Sequence, residues 1–430
     1  MSPTFRALSH RNYRRYAIGG AVTNTGTWMQ RVAQDWLVLQ LTAGSGTAVG
    51  ITTGLQFLPF LVLAPVAGLV ADRVPKRQLL QLTNVGMAVP ALVLGLLAVT
   101  GTAEAWHVYV LAFLLGTAAV FDAPARQSFV SEMVPREDLS NAVGLNSASF
   151  NAARVVGPAV AGLLIAAGGG GAEATGWVIL LNAATYAAPV LALRSMDPRL
   201  LDTPVVPPRE PGMVRQGVRY VRGRPDLLLI LAIVFCAGTF GLNFQLTSAL
   251  MATEVFGKGA TEYGLLGTFM AVGSLTGSLV AARRVRVRLR LVVGAAVVFG
   301  VVEVVAGLMP TYLSFALVTP LLGLSALTMI TAANTYLQMT TEAGMRGRVM
   351  ALYMMIFMGG TPVGSPVVGW VGEAFGARWT LVLGGALTAA GALLAAGLFA
   401  RSRRVLTAPD APSNLVPRVW LNQTVARARK

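Results

Sequence analysis

Cysteine is almost missing from this chain: there is one, Cys236, and it lies inside an apolar run. No internal disulfide can form, and no thiolate metal cluster can be built. Histidine is nearly as scarce, since His10 and His107 stand far apart without ligand-like neighbours. No metal site and no cofactor are therefore expected, and histidine-based catalysis has no partners to work with. A nucleotide-binding loop is also lacking, so no nucleotide should drive the protein directly. Charge is thin, with Asp, Glu, Lys and Arg together only 12% of residues. What fills the chain is apolar: 55% of its 430 residues are hydrophobic and its mean hydropathy is +0.64. That composition belongs to a polytopic all-α membrane protein.

Twelve apolar stretches reach spanning length, at about 16–41, 47–71, 79–100, 106–123, 139–167, 176–195, 227–255, 262–282, 291–309, 312–338, 348–374 and 378–400. Arg11, Arg14 and Arg15 precede the first, but Tyr16 to Leu41 is too long for a signal peptide and carries internal charges. It reads as a first span entering from the cytoplasm. Basic residues exceed acidic ones, 34 to 18, for a net charge of +16. Their placement decides what this means. Thirty of the 34 fall in the N-terminus, the alternate loops and the tail, all on one side, whereas only Lys258 and Arg378 lie on the other. Such asymmetry orients the chain in a cell membrane with both termini cytoplasmic, and it argues against nucleic acid as the partner.

The two ends of the chain repeat one another. Val143-Gly144-Leu145 with Gly157 and Gly162 recurs as Met350-Ala351-Leu352 with Gly364 and Gly369, and Gly68 recurs at Gly277 with Arg283 and Arg284 behind it. Ala281 stands where the first copy has Asp72. Two six-helix halves, 1–194 and 226–405, are expected, joined by a cytoplasmic linker, 195–225, and followed by a basic tail, 406–430. The linker opens with Pro204, Pro207, Pro208 and Pro211. Beyond them Val214, Val218 and Val221 recur at helical spacing beside Arg215, Arg219 and Arg222. That pattern suits an amphipathic helix on the anionic inner leaflet, or else a solvated charged linker.

Between the second and third spans runs Gly68-Leu69-Val70-Ala71-Asp72-Arg73-Val74-Pro75-Lys76-Arg77. It resembles the signature loop of the major facilitator superfamily, with Gly68, Asp72, Arg73, Lys76 and Arg77 matching in type and Pro75 in place of the usual glycine. In the fifth span Gly144, Ala153, Gly157-Pro158 and Ala161-Gly162 resemble the antiporter motif of that superfamily, with alanine for glycine twice. Phe121-Asp122-Ala123-Pro124-Ala125-Arg126-Gln127, Val134 to Leu139 and Asn141-Ala142-Val143 look like the drug- and siderophore-exporting branch that includes the enterobactin exporter. The resemblance implies twelve helices in two pseudo-symmetric halves around a central cavity, and proton-coupled export of amphiphilic small molecules by a monomer. It also implies that Asp72 approaches the start of the eleventh span near Arg348, and that Lys76 or Arg77 pairs with Asp122.

Charges inside spans are costly and mark candidate sites. Arg31 and Asp35, four residues apart on the first span, lie within pairing reach of each other. Arg154 on the fifth span is an alternative partner for Asp35, or a holder of an anionic substrate. These three are the candidates for proton coupling, against a permanent ion pair that only orients the helix. Glu303, among valines on the ninth span, reads as structural. Gln34, Asn243, Gln245, Asn334 and Gln338 are polar positions in apolar runs and candidate cavity residues, or satisfied interhelical bonds. Uptake symport, Na+ in place of H+, and lysophospholipid flipping share these features. A membrane-embedded enzyme would need paired carboxylates or a metal cluster that the sequence does not contain. In a Cys236→Ser background, cysteines at Gly170 and Met309 should react with an impermeant reagent in intact cells, and one at Pro208 should not. Labelling at Pro208 would overturn the orientation.

Overall fold

A computed structural model describes residues 3–202, 213–282 and 287–406, and no strand occurs among them. The prolines from Pro204 to Pro211, the pair Arg283 and Arg284, and the tail after Leu406 lie outside the described residues. The first half holds α1 (Arg11–Leu41), α2 (Gly46–Arg73), α3 (Lys76–Val99), α4 (Ala105–Glu132), α5 (Arg136–Ala167) and α6 (Ala172–Arg194). A short α7 (Met213–Arg222) leads into the second half. That half holds α8 (Pro225–Val255), α9 (Ala260–Ala282), α10 (Leu289–Gly307), α11 (Tyr312–Thr340), α12 (Gly344–Phe375) and α13 (Ala377–Leu406). Eleven of these helices are long and apolar enough to cross a membrane. The remaining long one, α1, has 31 residues but is too polar for that measure. It is sheltered by α5 and α6, with Gln30, Gln34 and Asp35 buried, and completes the set of twelve.

Local chemistry sets the turns. Ser45 Oγ accepts from the backbone N–H of Ala48 at 3.1 Å, which satisfies an orphan donor at the start of α2. Thr311 and Ser314 cap α11 reciprocally. Gly376, at φ 96°, makes the tight link from α12 to α13 that a Cβ would strain. At the far end of α10, Arg378 donates to the carbonyls of Gly307 and Met309 at 2.9 and 2.7 Å, where the helix dipole favours a cation.

The halves meet chiefly where α2 packs on α12 and α5 on α9. Both crossings are backbone against backbone. A Cβ on Gly46 or Gly50 of α2 would strike the carbonyls of Gly369 or Ser365, and one on Gly264 of α9 would strike that of Pro158. Gly162 sits equally close to Ala260. All these contacts lie toward the face away from the termini. Toward the basic face the same helices diverge: Gly144 has nothing near its missing Cβ, and Phe150, Val272, Leu275 and Leu279 are exposed. The tight crossings between the halves lie toward one face.

The linker forms the expected short helix, and part of its apolar side packs on the second half. Val221 is buried in the core of the second half with Val218 packed against it, and Gly217 lies against Arg348 and Leu352 of α12. Two of the three valines of the stripe thus pack on protein; the Val214 side chain lies outside the described residues. Overpacking a close crossing costs about 1–3 kcal/mol. Gly264→Leu should therefore lower the apparent melting temperature in detergent by several degrees, and Gly144→Leu should leave it unchanged. Equal melting of the two variants would remove the crossing as a stabilising contact.

Candidate functional site

Between the halves, Arg31 and Asp35 of α1, Thr53, Gln56 and Phe57 of α2, and Gln245 of α8 line one small pocket. Three helices from both halves thus bring polar groups together at mid-membrane depth. At about 1.5 Å rise per residue, Asp35 lies roughly 9 Å inside the end of α1. The helix that carries it is held by its own polar residues. Gln34 donates to Gln56 at 3.3 Å, Trp36 Nε1 donates to the Gly170 carbonyl at 3.1 Å, and Asn182 bonds to Gln30.

Asp35 does not form the expected ion pair. Among the described residues neither Arg31 nor Arg154 comes within salt-bridge distance of it, and its Oδ2 instead accepts from the Tyr263 hydroxyl at 3.0 Å. Tyr263 belongs to α9, so this bond ties one half to the other. Its ring also stacks on Trp36, with centroids 6.3 Å apart. In the sequence it is one tyrosine near a helix start, and only the folding of α9 against α1 makes it a partner. The arginines turn to an aromatic ring. Arg31 and Arg154 lie over Trp28 at 4.8 and 5.4 Å from its centre, and Arg31 is 5.8 Å from Phe57.

Of the other cavity candidates, only Gln245 lines the pocket. Asn243 is spent inside the second half: it donates to Thr239 O at 2.9 Å and accepts from Ser365 at 2.7 Å, bracing the π-turn Ala237–Gly241 of α8. Gln338 bonds to Asn334 at 2.5 Å on α11, outside the pocket. Glu303 is buried beside Phe299, Phe244 and Met270, and one of its carboxyl oxygens has no hydrogen-bond partner among the described residues. Nothing there pairs its charge. In the antiporter-like motif, Gly157 lets α5 touch Trp28 and the Thr25 carbonyl of α1, and Pro158 and Gly162 meet α9. Gly144 packs against nothing.

The signature loop also departs from expectation. Lys76 is buried and pairs with Glu132 at 2.6 Å, not with Asp122. Arg77 donates to the Leu193 and Arg194 carbonyls at 2.7 and 3.0 Å. Asp122 is taken by Arg126 at 2.6 Å, Thr83 at 2.9 Å and Asn84 at 3.3 Å. Nearby, Asp138 accepts from Arg6 at 2.9 Å and faces His10 at 2.8 Å. Every one of these partners is in the first half, because α4 and the start of α5 fold back over the loop. Arg73 is exposed, and Asp72 is half-buried at the end of α2, a helix that packs on α12.

Two six-helix halves closing on a charged pocket define a major facilitator transporter, a small-molecule carrier of the membrane and not an enzyme. The chain belongs to the family described as transmembrane secretion effector, whose model matches residues 2–429. It is 28% identical to the multidrug efflux pump Tap of Mycolicibacterium fortuitum over 83% of this chain and 88% of that one. With the staphyloferrin A transporter of Staphylococcus aureus it shares 23%, over 82% and 87%. Among solved structures, a bacterial homologue of the lysosomal transporter Spinster superposes with TM-score 0.70 at 15% identity, covering 91% of this chain and 98% of that one. A bacterial homologue of ferroportin gives 0.67 at 17%, over 91% and 98%. Both likenesses show the fold.

Breaking a buried pair strands a charge, at a cost of about 3–5 kcal/mol. Glu132→Ala should strongly lower the melting temperature in detergent, and adding Lys76→Met should restore most of the loss. If the double variant melts no higher than the single one, the pair is not what holds α3 to α4.

Proposed function

We propose that the protein exports amphiphilic small molecules across the cell membrane by alternating access, driven by proton entry through Asp35. The observation that carries this is the Asp35–Tyr263 bond, a titratable carboxylate in the pocket whose partner sits on the opposite half. Protonation turns the acceptor from a charged group into a neutral one, and a charge-assisted hydrogen bond is roughly twice as strong as a neutral one. A proton on Asp35 therefore loosens the tie between the halves, and its loss tightens it. The pocket's occupant and the proton compete for one constellation, which is the requirement for exchange.

Orientation supports the direction. With thirty cations at the face that bears the termini, that face is cytoplasmic, and the tight crossings between the halves lie at the outer one. Relatives known as efflux proteins, for multiple drugs in Mycolicibacterium fortuitum and for macrolides in Streptococcus pyogenes, favour export. Lys76, Arg77 and Asp122 stiffen the first half so that it moves as one body.

Asp35→Asn keeps the shape of the side chain and removes the titration. In proteoliposomes, dye exchange without a gradient should survive, while accumulation driven by a pH gradient should fall at least tenfold. Undiminished pH-driven accumulation by Asp35→Asn would refute the assignment.

A further inference from the structure

Two guanidinium groups, Arg31 in the pocket lining and Arg154 beside it across the Trp28 ring, have no carboxylate within salt-bridge distance among the described residues. Arg31 on α1 and Arg154 on α5 both lie over the Trp28 ring, so their central carbons are at most about 10 Å apart. No oxygen among the described residues accepts a hydrogen bond from either. The nearest carboxylate, Asp35, is engaged with Tyr263. Both arginines are only half-buried, and Arg31 lines the pocket between the halves. Cation–π contact offsets part of the cost of holding such charge in a membrane, but it leaves the in-plane N–H donors unsatisfied.

We propose that Arg31 and Arg154 form an anion subsite, and that the substrates are organic anions: a carboxylate or sulfonate joined to a flat apolar body. This rests on reading the pocket as the substrate cavity. The guanidinium fork matches a carboxylate or sulfonate with paired N–H donors, a geometry that a lysine would not offer. The apolar body has its own surface. Trp28 meets Phe150 edge-on at 5.7 Å, and Phe57 and Phe60 are 6.0 Å apart, so aromatic rings of α1, α2 and α5 flank the charges. Gln56, Thr53 and Gln245 add neutral polar contacts at the rim. Two arginines against one aspartate leave the pocket with an excess positive charge, which an anion neutralises and a cation worsens. The rigid Trp28 holds both forks in place before the ligand arrives, so little ordering is needed on binding.

The test uses two flat bicyclic ions of similar size and opposite charge, 2-naphthalenesulfonate and N-methylquinolinium, titrated by calorimetry into the purified full-length protein without any gradient. The sulfonate should bind at least tenfold more tightly. Arg31→Gln and Arg154→Gln should each weaken the sulfonate tenfold or more, and Arg154→Lys should recover part of the loss. Equal or tighter binding of the quinolinium by the parent protein would overturn the anion assignment. An unchanged sulfonate affinity in Arg154→Gln would do the same even if the other variants failed to fold. If neither ion binds, the pocket is not the substrate site, and the underlying functional reading fails with it.

Discussion

The close approach of two backbones is the constraint on which the rest of this structure depends. Where α2 crosses α12 and α5 crosses α9, glycine on one helix faces a carbonyl on the other, with no room for a side chain. In a bilayer no hydrophobic effect pushes helices together, so packing of this kind and interhelical hydrogen bonds must do the joining. Because the small residues are concentrated in one part of each helix, the halves seal there. The pocket between the halves lies beside these crossings, lined from α1, α2 and α8.

Within this frame, the intramembrane charges divide by purpose. Those at the basic end are satisfied locally: Lys76 by Glu132, Asp122 by Arg126, Asp138 by Arg6 and His10. They bind loops to helices of their own half and make a body that can move without coming apart. The charges at the pocket are left open. Asp35 takes a single bond from the other half, and Arg31 and Arg154 rest on an aromatic face. Uncompensated charge at membrane depth is expensive. Its persistence at one place, beside aromatic rings and amides, is what a site for a charged ligand requires.

The second half carries a different tension. Its first helix is interrupted by π-turns at Ala237–Gly241 and Met251–Val255, and Asn243 and Ser365 brace the former. Glu303 lies alongside, buried and unpaired. The corresponding part of the first half, α1, is an unbroken helix. The two halves share a plan but not a mechanism of rigidity, as the degenerate repeat at Ala281 already suggests.

The sequence by itself determined the number and order of the helices, the gathering of the basic loops on one side and the motif positions. Those follow from apolar length, from cation placement and from local spacing, and none needs a partner in space. Arg31, Asp35 and Arg154 were legible for the same reason: a charge in a span is conspicuous alone. Only the tertiary structure decided whom they face. Tyr263 became the partner of Asp35 because α9 packs on α1 across 228 residues of chain. Lys76 was drawn to Glu132 because α4 ends beside the loop. Val218 and Val221 of α7 turned to the core of the second half, against which the linker helix packs. Pairing depends on which helices cross and at what depth, and that is set by small residues fitting against distant backbone, a complementarity that no local pattern in the chain encodes.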